Sequence, residues 1–230
     1  YKKILRHFDT LVAHILEPET SRLKLEYPNL FQTNDIFGRP HSIYGIYETL
    51  TSYLSHGLPV PHNVDDTLIN RLESYVTIEI YTAFRRSAEA IKFCSGRLVK
   101  EILENISVHG IQEKRLCIFS AHDTSLVPLL AAFGHHADKN PPYCSAVTIE
   151  LASDERDSVS VRQIKPLYIR VLYNNNPIVI KHCTTPGNHH PSFMDGSLCT
   201  LEAFNEAVAQ FVPSDYLAEC NDLQSNVHGM

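Results

Sequence analysis

Arg115-Leu116-Cys117-Ile118-Phe119-Ser120-Ala121-His122-Asp123-Thr124-Ser125-Leu126-Val127-Pro128-Leu129-Leu130-Ala131-Ala132-Phe133-Gly134 is the stretch on which the reading of this chain turns. Leu116 to Phe119 form a short apolar run, and that length predicts a buried strand rather than a helix. Small and polar residues follow from Ser120 to Ser125. Leu126, Val127, Leu129, Leu130, Ala131, Ala132 and Phe133 then predict a buried helix, and Gly134 sits where a left-handed residue commonly ends one. His122 and Asp123 therefore fall in a strand-to-helix turn. In open α/β sheets ligands bind at the carboxyl ends of strands, and a helix N-terminus offers free N–H groups to an anion. An imidazole there can donate hydrogen bonds to phosphoryl oxygens, and a carboxyl can protonate a leaving oxygen. The same residues also suit a structural role, with Asp123, Thr124 or Ser125 capping the helix and His122 packed beside it.

The rest of the chain narrows the class. Its 230 residues suit one domain or a domain and a half. Hydrophobic content of 43% and charged content of 20% are those of a globular protein. A net charge of -6 argues against a nucleic-acid surface, and no basic stretch offsets it. No apolar run approaches the length of a membrane span. The first residue is Tyr1 and no signal-peptide core follows, so the expectation is a processed chain or one lacking an upstream segment.

Upstream, apolar residues from Ile4 to Leu16 recur at helical spacing, and Pro18 is expected to stop that helix. Pro28, Gly38, Pro40 and Gly45 punctuate short turns. Ile43, Ile46, Tyr47, Leu50 and Leu54 mark another helix. Asp65-Asp66-Thr67 can cap a further one from Leu68, with helix and strand both open around 76–81. Arg85-Arg86 suits a solvated face. Leu98, Val99, Ile102, Leu103 and Ile106 form an apolar helical stripe after Ser95-Gly96. Asn105-Ile106-Ser107 is a glycosylation acceptor pattern. Cys94 and Cys117 suit buried free thiols. Downstream come strands at 146–151 and 168–173, a turn at Asn174-Asn175-Asn176-Pro177 and a returning strand. Thr200 can cap a helix that follows. His135-His136, and the histidines between Cys183 and Cys199, lack the ligand spacing of a zinc site.

Ser120-Ala121-His122-Asp123-Thr124-Ser125-Leu126-Val127 resembles the second signature of the histidine acid phosphatases. The resemblance implies an α/β fold, a mixed sheet flanked by helices with a helical insert, incomplete in this chain. Residues 1–95 would be mainly the helical insert region, 96–220 the C-terminal part of the phosphatase domain, and 221–230 a tail. It also implies that His122 binds phosphate, that Asp123 is the proton donor, and that Cys183 and Cys199 form a disulfide. Cys144 and Cys220 would by the same resemblance pair with cysteines of an upstream segment. Arg6-His7 is the chain's one echo of the family's first signature, Arg-His-Gly-x-Arg-x-Pro, but Phe8 and Asp9 follow and the spacing is helical, so the match is coincidental.

The mechanism implied is attack by a neutral histidine on phosphorus, phosphoryl oxygens held by arginines, and protonation of the departing alcohol by the carboxyl. No metal or cofactor is required by it. The nucleophile and the arginine cradle are expected outside these residues, so the chain alone is expected to hydrolyse phosphate monoesters poorly or not at all. Its ligand would be a phosphorylated small molecule or inorganic phosphate. Unpaired strand edges would favour association, for example as a homodimer. Cysteine usage and Asn105 point to a secreted, lysosomal or vacuolar protein. The alternatives are an inactive phospho-ligand-binding relative of the same fold, and an interaction domain in which His122 and Asp123 only cap a helix.

Overall fold

A computed structural model describes residues 2–31, 42–109, 116–136, 139–153 and 166–225. They divide into two compact units, one of residues 2–86 with 139–140 and one of 87–136 with 141–225. No described helix is long and apolar enough to cross a membrane.

The first unit is helical. Its elements are α1 (Lys2–Glu26), a 3-10 turn at Pro28–Leu30, α2 (Ile43–Ser55) and α3 (Asp66–Arg86). The Ser42 hydroxyl caps α2 by accepting from Gly45 N at 3.0 Å, and Asp65 Oδ1 caps α3 by accepting from Leu68 N at 2.8 Å. Leu23, Ile43, Ile46, Tyr47, Leu50, Leu68, Leu72 and Val76 form one apolar cluster among these helices. Residues 76–81 are helical, because Val76 extends the stripe begun by Leu68 and Leu72.

Pro18 does not stop α1; the helix runs eight residues beyond it. Proline removes one donor from the ladder, but the buried face continues through Leu16 and Leu23. Arg71 of α3 then clamps the far half, bonding Glu19 Oε1 at 2.8 Å and also Glu26. Those two carboxylates hold the Arg71 pKa well above its ordinary value, against a smaller opposing effect of burial.

The second unit is α/β. It runs α4 (Ala88–His109), α5 (Asp123–Ala132), β1 (Val147–Ser153), β2 (Leu167–Tyr173), β3 (Asn176–Ile178), a 3-10 turn at Lys181–Thr184, β4 (Cys199–Thr200), α6 (Leu201–Ala209) and α7 (Tyr216–Ser225). The Ser87 hydroxyl accepts from Ala90 N at 3.0 Å, so α4 begins well before the Ser95-Gly96 pair. In the sheet β2 pairs with β1, β3 and β4, and each of these ladders is antiparallel. The β2–β3 hairpin turns at Asn174 and Asn175, both at positive φ, the conformation that a two-residue hairpin loop requires. Glu150 and Arg170 face each other across β1 and β2 and form an ion pair at 2.6 Å.

One expectation fails outright. Leu116–Phe119 forms no strand, and it is not buried. Leu116 is 75% exposed, Ile118 81% and Phe119 45%. A strand needs a neighbour to bond its backbone groups, and no described segment is laddered to this one. Cys117 is accordingly an exposed free thiol, and Cys94 is half-buried rather than fully enclosed.

α7 leaves the 211–215 turn under local control. Asp215 Oδ1 accepts from Ala218 N at 3.0 Å, and Glu219 Oε1 accepts from Ser214 N at 2.8 Å. Glu219 also pairs with Lys92 of α4 at 2.5 Å. That lysine, with the Ser214 donors secondary, lowers the Glu219 pKa to about 2. At Gly96 an added Cβ would lie 2.2 Å from the Phe211 carbonyl oxygen, so only glycine admits this approach of α4 and the turn.

Two measurements check this packing. Leu130, fully buried in α5, should lose about 2–5 kcal/mol of stability as Leu130→Ala in urea unfolding. Leu116→Ala should stay within about 0.5 kcal/mol of the parent. Glu219 has a depressed folded pKa, so its contribution is complete above its unfolded value and is lost as pH falls through about 2. The stability difference between the parent and Glu219→Gln should therefore be flat above about pH 5 and shrink progressively below it; a difference independent of pH would rule out the ion pair as its source.

Candidate active site

α5 positions His122 and Asp123 through burial at its other end. Val127, Pro128, Leu129, Leu130, Ala131 and Ala132 are all buried, so most of the helix is apolar on every side. It packs on α4, where the Ser95 hydroxyl, itself buried, donates to Ile91 O at 3.0 Å and lies 3.2 Å from Pro128 O. Phe133 packs against Phe204 of α6, ring centroids 5.8 Å apart.

The C-terminus closes as the sequence predicts. Gly134 takes φ +76. Gly134 N donates to Ala131 O and His135 N to Leu130 O, each at 2.9 Å, which satisfies two of the helix's last carbonyls.

At the N-terminus His122 is extended (φ -119, ψ 169) and occupies the cap position without a side-chain cap bond. Its carbonyl accepts from Ser125 N and Leu126 N, both at 2.9 Å. Its imidazole lies in an exposed residue, while Asp123, the first helical residue, is half-buried. Asp123 Oδ1 accepts from Thr124 N at 2.7 Å. The carboxylate thus sits against the positive end of the helix dipole, and next to it stands an imidazole with ring nitrogens suited to phosphoryl oxygens. Asp123 thereby satisfies a backbone donor in the first turn of α5.

The other singled-out residues lie elsewhere. Arg85 stacks over the Tyr81 ring at 5.8 Å within α3. His7 falls inside α1. His135 packs against Tyr173, ring centroids 5.5 Å apart. Asn105 is a helical residue of α4; its Nδ2 donates to Glu101 O at 2.7 Å, and its Oδ1 accepts from the Cys117 thiol at 3.6 Å. That last contact, which spacing alone does not reveal, tethers the exposed stretch leading to His122.

Cys183 and Cys199 are joined in a disulfide, their Cα atoms 5.2 Å apart. The loop between them engages its histidines individually. His182 Nε2 is 3.0 Å from Glu206 Oε2, His189 Nδ1 is 2.8 Å from Cys183 O, and the His190 ring meets Tyr168 edge-on at 4.8 Å. Among the described residues no group of three or more His, Cys, Asp or Glu side chains is arranged to hold a metal ion. Thr200 caps α6, its hydroxyl accepting from Ala203 N at 3.2 Å.

No protein-family model matches the chain. Among curated proteins it is 28% identical over 183 residues to the lysosomal acid phosphatase of Bos taurus, covering 78% of this chain and 40% of that protein. It is 26% identical over 179 residues to the prostatic acid phosphatase of Rattus norvegicus, covering 76% of this chain and 43% of that protein. A probable acid phosphatase of Dictyostelium discoideum is 24% identical over 191 residues, covering 76% of this chain and 39% of that protein. The chain thus spans about 40% of the length of the curated relatives it matches. It is similar to lysosomal and prostatic acid phosphatases over about three quarters of its length, which supports its resemblance to the histidine acid phosphatases.

Proposed function

We propose that His122 and Asp123 are the phosphate-binding and proton-donating parts of a phosphate monoester hydrolase site of the histidine acid phosphatase type. The observation that carries this reading is the placement of the pair. An exposed imidazole occupies the cap of a deeply anchored helix, and a carboxylate holds its first turn. The acid phosphatase relatives support the same chemistry.

In this reading the substrate's phosphoryl oxygens accept hydrogen bonds from the His122 ring. The nucleophilic histidine attacks phosphorus and forms a phosphohistidine. Asp123 gives its proton to the departing alkoxide oxygen, so the alcohol leaves neutral. Water then hydrolyses the phosphohistidine. The nucleophile and the arginines that hold the equatorial oxygens are supplied by polypeptide outside these 230 residues. The exposed apolar stretch Leu116–Phe119 supports that division, since it ends at His122 and has side chains suited to burial beneath further structure. A lysosomal or secreted setting, with a glycan on Asn105, fits the disulfide and the relatives.

Isothermal titration of the chain with inorganic phosphate or vanadate tests the site. His122→Ala should weaken binding roughly 10–100-fold, the worth of a charge-assisted hydrogen bond. Equal affinity in parent and variant would remove His122 from the site. Asp123 is separable by its two roles. Asp123→Asn keeps an oxygen for Thr124 N and should change stability by less than about 1 kcal/mol. In a chain complete with nucleophile, the same change should lower p-nitrophenyl phosphate turnover at acidic pH by about 10²–10⁴. The 230 residues alone should show little or no turnover. Rapid acid hydrolysis by them, lost in Asp123→Asn, would place the nucleophile inside this chain.

A further inference from the structure

We propose that the outer edge of β1 is the surface through which two copies of this chain pair, strand against strand, about a two-fold axis at Ile149. Among the described residues β1 is laddered to β2 alone. Its seven residues pair one to one with β2 and without a bulge. Val147–Ser153 holds no proline, glycine or lysine, the residues that commonly blunt an open edge. The strands on the far side of β2 are short. β3 has three residues, one of them Pro177, and β4 has two. The edge suited to a further strand is therefore that of β1.

The phase of the β1–β2 ladder fixes which backbone groups face outward. Ala146 O accepts from Asn174 N at 2.9 Å, one step before the pairing of Val147 with Tyr173. Hydrogen-bonded and non-hydrogen-bonded pairs alternate along an antiparallel ladder. Thr148, Glu150 and Ala152 therefore bond inward, opposite Leu172, Arg170 and Tyr168. The N–H and C=O groups of Val147, Ile149 and Leu151 point to the open edge.

Charge then selects the register. A two-fold at Glu150 would set that carboxylate directly against its own copy, and like charges in facing positions repel. A two-fold at Ile149 sets Ile149 against Ile149 and Val147 against Leu151 in both directions. Each outward N–H then meets an outward C=O. Leu151, 37% exposed, is covered by the valine of the second copy. Thr148 faces the second copy's glutamate, and a hydroxyl can donate to a carboxylate. Glu150 is already held in place by Arg170 at 2.6 Å. One strand pair is a small contact, so the dimer is weak, with a roughly micromolar Kd. This association is independent of the reading given to His122 and Asp123.

The test is sedimentation velocity of the 230-residue chain from roughly 1 to 100 μM, joined to residue-resolved amide exchange. The expected result is a monomer–dimer equilibrium. Thr148 is exposed, and two substitutions there act in opposite directions, which loss of fold cannot imitate. Thr148→Glu should weaken the dimer roughly tenfold, because each glutamate–glutamate contact occurs twice. Thr148→Lys should tighten it roughly threefold or more. The amides of Val147, Ile149 and Leu151 should exchange more slowly as concentration rises, while β2 protects those of Thr148 and Glu150 at every concentration. A chain that stays monomeric throughout overturns the proposal. So does a dimer that neither substitution alters, or one in which exchange at Val147, Ile149 and Leu151 does not depend on concentration. A monomer in which these three amides are already slow assigns the edge to another segment of the same chain and overturns it equally.

Discussion

The burial of α5 against α4 is the constraint on which the second unit's arrangement depends. A ten-residue helix has little stability of its own in water. α5 is held because its middle and end are apolar all round and packed against α4 and α6. Ser95 adds a polar contact at this interface, its hydroxyl reaching the Pro128 carbonyl from the facing helix. With the C-terminal end enclosed and closed by Gly134, the N-terminal end is the one that meets solvent. His122 and Asp123 occupy that end. Their placement follows from where the helix can be buried, not from any bond between the two side chains.

As the first helical residue Asp123 bonds Thr124 N and meets the positive end of the helix dipole, so its carboxylate serves the helix that presents it.

Several features were legible in the residues because a short stretch of chain decides them. Gly134 ends a helix because a left-handed residue must follow its last turn. Asp65 and Thr200 cap helices because their short side chains place an oxygen within reach of the free N–H three residues on. Asn174-Asn175 turns a hairpin because asparagine tolerates positive φ. The place of His122 and Asp123 at the head of α5 was legible too, since a polar turn precedes the apolar run of that helix.

What the sequence by itself determined is therefore local: where helices begin and end, where the hairpin turns, and which two residues stand at the head of α5. The tertiary structure decided what is buried and what is joined. Pro18 stays inside α1 because Arg71, far along the chain, grips both carboxylates beyond it. Leu116–Phe119 has the composition of a core strand and lies exposed, because strand formation needs a neighbour and hydrophobicity alone supplies none. Phe93 meets Tyr216 only through the packing of α7 on α4. Capping and turn chemistry act over a few bonds, whereas burial and pairing depend on groups that only the folded chain brings together.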